Sequence, residues 1–167
     1  MKKPLIVSAL LLILDQASKL LIKLNFEQYD TMPLIPGVLH ISYIRNTGVA
    51  FGWFKDQRWV FSVIVALLLA VGVVLLVRRM LKTRLLVWAA FLILAGGFGN
   101  LIDRVAFGFV TDFIDLRFLN FYVFNLADCF VVAGAALVII HFVKDIKKEY
   151  SGKKAAKELP EEPDGNV

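Results

Sequence analysis

The stretch Tyr122–Val143, YVFNLADCFVVAGAALVIIHFV, decides the fold: 22 residues without a lysine or arginine and with a single acid, Asp128. A helix rises about 1.5 Å per residue, so a hydrocarbon layer of about 30 Å needs about 20 residues. This stretch is long enough, and so are Pro4–Leu24, Trp59–Val77 and Leu85–Ile102. The composition agrees, with 59% hydrophobic and 20% charged residues among 167 and a mean hydropathy of +0.71. A water-soluble chain of this size could not cover so much apolar surface. The sequence therefore predicts an all-α membrane protein with four transmembrane helices.

Lys2 and Lys3 ahead of the first apolar run resemble the start of a cleavable signal, but no small-x-small site follows and the run continues to Leu24, as a retained span would. Sidedness follows from the basic residues. Lys2, Lys3, Arg78, Arg79, Lys82, Arg84, Lys144, Lys147, Lys148, Lys153, Lys154 and Lys157 fall on one side if four spans alternate, which makes that side cytoplasmic. Both termini are then cytoplasmic. The net charge of +5 is explained by this topology, so nucleic acid is not an expected partner; membrane lipid is. One cysteine and two histidines exclude a disulfide framework and a zinc-type cluster, and no metal or cofactor is expected.

The two outer connections, about 25–58 and 103–121, are not plain linkers. Val38–Ile44 (VLHISYI) is β-branched and aromatic, and Asn46-Thr47-Gly48 supplies a turn before Val49–Phe54. These predict a small extracytoplasmic β-hairpin or sheet, a β-cradle, held to the membrane surface by Phe51, Trp53, Phe54 and Trp59. The expected organisation is a membrane domain over 1–148 with this insertion, and a charged, proline-bearing tail over 149–167 that reads as disordered and cytoplasmic.

Polar side chains within spans are costly and call for a reason. Counted at the helical rise from the cytoplasmic ends, Asp15 lies about 16 Å up and Lys19 about 22 Å. Asn100 lies about 22 Å up its span and Asp128 about 21 Å, with Asp103 and Arg104 just above Asn100. Three helices thus place their polar groups in one layer below the outer surface. Asp15 and Lys19 are spaced i,i+4, as are Asn100 and Arg104, while Asn125 and Asp128 are i,i+3, so each pair shares a helix face. Interhelical hydrogen bonding alone would account for Asp15, Lys19, Asn100 and Arg104. It accounts less well for Asp128, which has no basic neighbour on its own turn. Gly96, Gly97 and Gly99 read as sites of close helix approach, and Cys129 as a small buried apolar residue.

A second carboxylate must come from the outer connection, where the extended stretch Phe109–Leu116 (FVTDFIDL) offers Asp112 and Asp115. Two carboxyl groups held together share a proton, giving one base for water and one acid for a carbonyl, which suffices for peptide hydrolysis. Spacing does not choose between Asp112 and Asp115. A small transporter or proton-translocating subunit with relay carboxylates Asp15, Asp103 and Asp128 is the alternative, but such carboxylates should track across the bilayer, whereas these crowd one side.

Five strings in order carry a resemblance: DQASK (15–19), RNTGVAF (45–51), GGFGNLIDR (96–104), VTDFID (110–115) and FNLAD (124–128). Over roughly Leu14 to Val138 the chain resembles the bacterial lipoprotein signal peptidase family, signal peptidase II. The resemblance implies a four-helix aspartic endopeptidase of the bacterial cytoplasmic (inner) membrane, with its site towards the outer leaflet. It implies removal of the signal peptide from diacylglyceryl-modified prolipoproteins, cut just before the lipid-modified cysteine. It maps the catalytic pair onto Asp112 and Asp128, and puts Asp15, Lys19, Asn46, Gly48, Asn100, Arg104, Asn125 and Ala127 on positions that shape or line the site. Val49 and Cys129 are mild departures from the family pattern and bear only on local packing.

Overall fold

The computed structural model describes residues 1–48, 58–119 and 121–157. Four helices carry the chain: α1 (Lys2–Asn25), α2 (Arg58–Val77), α3 (Arg84–Phe107) and α4 (Leu126–Lys157). A small sheet is formed by β1 (Thr31–Ile35), β2 (Leu39–Asn46) and β3 (Val110–Leu116). Helices α1, α3 and α4 are each long and apolar enough to cross a membrane; the apolar part of α2, Ser62–Val77, is shorter. The molecule is inside out relative to a water-soluble protein. Leu10, Ile13 and Leu14 of α1 are more than half exposed, whereas Asp15 and Lys19 are fully buried. Such an arrangement is stable only where the surrounding solvent is itself apolar.

Helix α3 is the hub, packing against each of the other three. Glycines set the approach. A Cβ on Gly96 would strike the Ala127 carbonyl and Val131 of α4, one on Gly97 would strike Leu69 of α2, and one on Gly99 would lie 2.5 Å from Asp15 Oδ2. These are close-packing positions, as the sequence suggested. Thr83 caps α3, its Oγ1 accepting from the Leu86 amide at 3.3 Å, and Gly108 ends it in the left-handed region at φ 78°. The helix therefore runs five residues beyond the expected end at Ile102 and carries Asp103 and Arg104 as helical residues.

The expected small β structure is a three-stranded sheet. Its order is β1-β2-β3, all antiparallel, so β2 pairs with the strand before it through a turn at 36–38 and with β3 from the distant second connection. The expected second strand, Val49–Phe54, lies outside the described residues, as do Val49, Phe51, Trp53 and Phe54 individually. Pro33 sits in the edge strand β1, where a missing amide is tolerated. Ile22 of α1, Tyr43 of β2 and Phe113 of β3 form a buried cluster that seats the sheet on the helix end.

Helix α4 begins at Leu126 rather than Tyr122, because the Phe124 backbone pairs with Ile114 of β3 (N–O distances 2.7 and 3.1 Å) before the helix starts. At its other end α4 continues to Lys157, well past Glu149, where the sequence reads as an unstructured tail. Lys147, Lys148 and Glu149 favour the helix, which passes on through the weaker formers Ser151 and Gly152.

Candidate active site

The start of α4 is built as a reciprocal cap. Asn125 Oδ1 accepts from the Asp128 amide at 3.1 Å, and Asp128 Oδ2 accepts from the Asn125 amide at 3.1 Å. This is a capping box with asparagine at the cap and aspartate three residues later. It holds the Asp128 carboxylate at the positive end of the helix, facing Asn125.

Asp112 reaches the same place from β3. Its Oδ1 accepts from Asn125 Nδ2 at 2.6 Å and its Oδ2 from Asn46 Nδ2 at 2.8 Å. Asp128 Oδ1 accepts from Asn100 Nδ2 at 2.7 Å. One residue, Asn125, therefore donates to both carboxyl groups. Asp112 is only 2% exposed, and burial, with the nearby Asp128 charge adding to it, pushes its pKa up from 3.8 to about 6; the Asn46 and Asn125 hydrogen bonds act in the opposite direction.

Three asparagines share one wiring. Each amide oxygen is occupied by a donor, which leaves its nitrogen aimed at a carboxylate. Asn46 Oδ1 takes the Gly48 amide at 2.8 Å; Asn100 Oδ1 takes Lys19 Nζ at 2.8 Å and Asn125 Nδ2 at 3.1 Å; Asn125 Oδ1 takes the Asp128 amide. Gly48 makes its contact at φ 76°, a conformation that side-chain-bearing residues rarely adopt, so its role is to turn the Asn46 amide.

A second acidic group lies beside this one and is wired differently. Asp15 Oδ2 is 2.9 Å from Lys19 Nζ and 3.1 Å from Gln16 Nε2, while its Oδ1 accepts from the Ala127 amide at 3.0 Å. Asp15 thus satisfies an otherwise unpaired amide in the first turn of α4 from across the bundle. Gln16 also donates to the Gly99 carbonyl at 3.0 Å, so α1, α3 and α4 are pinned at one level. Asp103 lies 3.8 Å from Lys19 Nζ and accepts from the Thr111 amide at 2.8 Å, tying α3 to β3.

Of the residues singled out from sequence, Asp15, Lys19, Asn46, Gly48, Asn100, Asp112, Asn125, Ala127 and Asp128 meet in this one assembly. Arg104 does not join it, and lines a cavity of about 200 Å³ with Thr47, Trp59 and Ser62. Asp115 is also apart, bound to Arg117 Nε at 2.7 Å and Ser42 Oγ at 2.8 Å. Cys129 is half-buried. Gln16 and Asp103 belong to the assembly without having been read as site-shaping residues; the Asn-x-x-Asp spacing of the cap was the one local signal that would have oriented Asp128. Among the described residues no group of three or more His, Cys, Asp or Glu is placed to hold a metal ion. Two carboxyl groups joined through neutral amides can hold a shared proton and offer one basic and one acidic oxygen.

Comparison with known proteins gives a consistent picture. The model of the family described as signal peptidase (SPase) II matches residues 7–144. The lipoprotein signal peptidase of Clostridioides difficile (strain 630) is 39% identical over 139 residues, covering 82% of this chain and 92% of that one. The lipoprotein signal peptidase of Streptococcus pyogenes serotype M2 is 37% identical over 150 residues, covering 87% and 97%. Two bacterial membrane enzyme structures solved by the in meso method superpose with TM-scores of 0.81 and 0.79 at 31% and 28% identity, covering 87% and 98% of this chain and 95% of each of theirs.

Proposed function

The chain belongs to the signal peptidase II family of bacterial membrane proteins, and we propose that it acts as an aspartic endopeptidase whose catalytic pair is Asp112 and Asp128. It removes signal peptides from prolipoproteins. The substrate is the diacylglyceryl-modified precursor, cut just before the lipid-modified cysteine. The observation that carries the catalytic reading is Asn125, which donates to both carboxyl groups while neither forms an ion pair among the described residues.

In the reaction, the ionised member of the pair takes a proton from water as the water oxygen attacks the scissile carbonyl carbon. The protonated member donates to the developing oxyanion. Collapse of the tetrahedral intermediate breaks the carbon–nitrogen bond; one hydroxyl returns its proton to the carboxylate that donated it, and the leaving nitrogen receives the proton first taken from water. Asn46, Asn100 and Asn125 keep both carboxyls aimed during these transfers. Which member is base is a property of the pair, since coupled groups titrate together.

The sidedness follows the basic residues: both termini cytoplasmic, all four helices spanning, and the sheet on the outer face of the inner membrane. The carboxyls then lie near the outer leaflet, at the depth where acyl chains would pin a lipid-modified cysteine. The test is cleavage of a lipid-modified precursor by Asp112→Asn and Asp128→Asn. Each should lose about a thousandfold in turnover, within the range for removing a general acid or base. Turnover within a few fold of wild type in both variants overturns the assignment.

A further inference from the structure

At the bundle end opposite the carboxyls, two helix N-termini meet in an unusual electrostatic setting. Helix α1 starts at Lys2 and α3 at Arg84, and neither first turn contains an acid. Both positive helix ends are therefore flanked by cations, the reverse of what the helix dipole favours. Lys2, Lys3, Lys82 and Arg84 line one cavity of about 640 Å³ together with Trp88. Arg79 and Lys2 line its neighbour. No acidic residue lines either cavity among the described residues. Arg79 itself adopts φ 53°, where glycine would be cheaper, so a cation is kept at a strained position.

The basic cavities continue into an apolar groove of about 430 Å³ between α1 and α2. Its floor is Phe91, Leu94 and Ala95 of α3, and its walls include Ala9 and Val73. Met1 lines all three cavities, and Leu76 the groove and its basic neighbour. A ring of cations leading into an apolar slot one helix-gap wide fits an amphiphile with an anionic head and an alkyl chain. We propose that this is a binding site for an anionic phospholipid, its phosphate held by Lys2, Lys3, Lys82 and Arg84 and one acyl chain lying between α1 and α2. The bound phosphate supplies the negative charge that both helix ends lack. Only the name of the leaflet, the cytoplasmic one, rests on the sidedness proposed above.

The experiment reads lipid retention, not cleavage. Native mass spectrometry of the full chain, purified with equal amounts of phosphatidylglycerol and phosphatidylcholine of identical chains, should show phosphatidylglycerol retained about tenfold more. Lys82→Gln with Arg84→Gln should abolish that preference while prolipoprotein cleavage persists. Ala9→Phe, which fills the groove, should weaken retention without changing any charge. On the unaltered protein the preference should shrink as ionic strength rises. Equal retention of the two lipids, or a preference that survives the double substitution and salt, overturns the proposal. So does competition by glycerol 3-phosphate as effective as that of the lipid, which would mean a phosphate site without a chain site.

Discussion

Two acidic groups lie within one hydrogen-bonded assembly, and what separates them is the charge of their partners. Asp15 is matched by Lys19 at 2.9 Å and spends its other oxygen on a helix end. Asp112 and Asp128 meet only amides, three side-chain and one backbone. A carboxylate matched by a buried ammonium serves as structure. The pair held by neutral donors has no such counter-charge, and burial raises the pKa of Asp112. The same residue type at the same depth is therefore a rivet in one place and a reagent in the other. Each perturbation below should treat the two groups differently.

The largest effect is expected on the rivet. Lys19→Met leaves Asp15 buried without its counter-charge, which costs about 3–5 kcal/mol. Little folded protein should survive extraction, whereas Asp15→Asn combined with Lys19→Met should recover part of the lost thermal stability, because only the more distant Asp103, 3.8 Å from Lys19 Nζ, is then left without its cation. Thermal unfolding in detergent checks both. A double variant as unstable as the single one would mean that the pair does more than neutralise itself.

The reagent should show the opposite sign. Asp112 holds a proton up to about pH 6 in the folded protein, against 3.8 for the free side chain. Between those values the folded form binds more protons than the unfolded chain, so stability falls as pH rises through that window, by on the order of 3 kcal/mol. Asp112→Asn cannot ionise. It should be more stable than wild type above about pH 6 and no more stable near pH 4. Unfolding curves at the two ends of this window decide it, and a variant destabilised equally at both would show that the carboxyl is structural after all.

How far this division was legible beforehand depends on the range of the interaction. The long apolar runs announce helices, and the helical rise alone puts Asp15, Lys19, Asn100 and Asp128 in one layer. Close glycine packing at Gly96, Gly97 and Gly99 also reads directly, because small residues on an apolar helix have few other uses. Strand pairing does not read so. Leu39 lies opposite Leu116, and nothing local to β2 says that its neighbour comes from the second connection. The start of α4 was misread for a related reason: Phe124 is apolar enough to extend the helix, yet its backbone is taken by Ile114. The Asp15 contact with the Ala127 amide spans the bundle, and only the folded chain reveals it.

A smaller effect should come from the amides that aim the carboxyls. Asn46 donates to Asp112 Oδ2 and favours its ionised form. Asn46→Ala removes that support, so the limb of the kcat/KM profile that reports Asp112 should move about one unit to higher pH. The ionised share of Asp112 near pH 6 then drops about fivefold, with kcat/KM changing in step, and near pH 8 it hardly changes. A uniform loss at all pH values would instead make Asn46 a contact for the substrate.

The smallest effect is expected at Asp115, three residues along the same strand. Spacing alone made it as good a partner for Asp128 as Asp112. Its register opposite His40 turns it instead to Arg117 and Ser42, at the rim of the sheet, where a cation already neutralises it. In this respect it repeats the logic of Asp15, with the difference that Arg117 is half exposed and water weakens the pair. Asp115→Asn should accordingly cost less than about 1 kcal/mol in stability and change kcat/KM by no more than about twofold. Loss of cleavage in a well-folded Asp115→Asn protein would move the second carboxyl of the pair along β3. It would also end the argument that the charge of a partner sorts these aspartates into structure and chemistry.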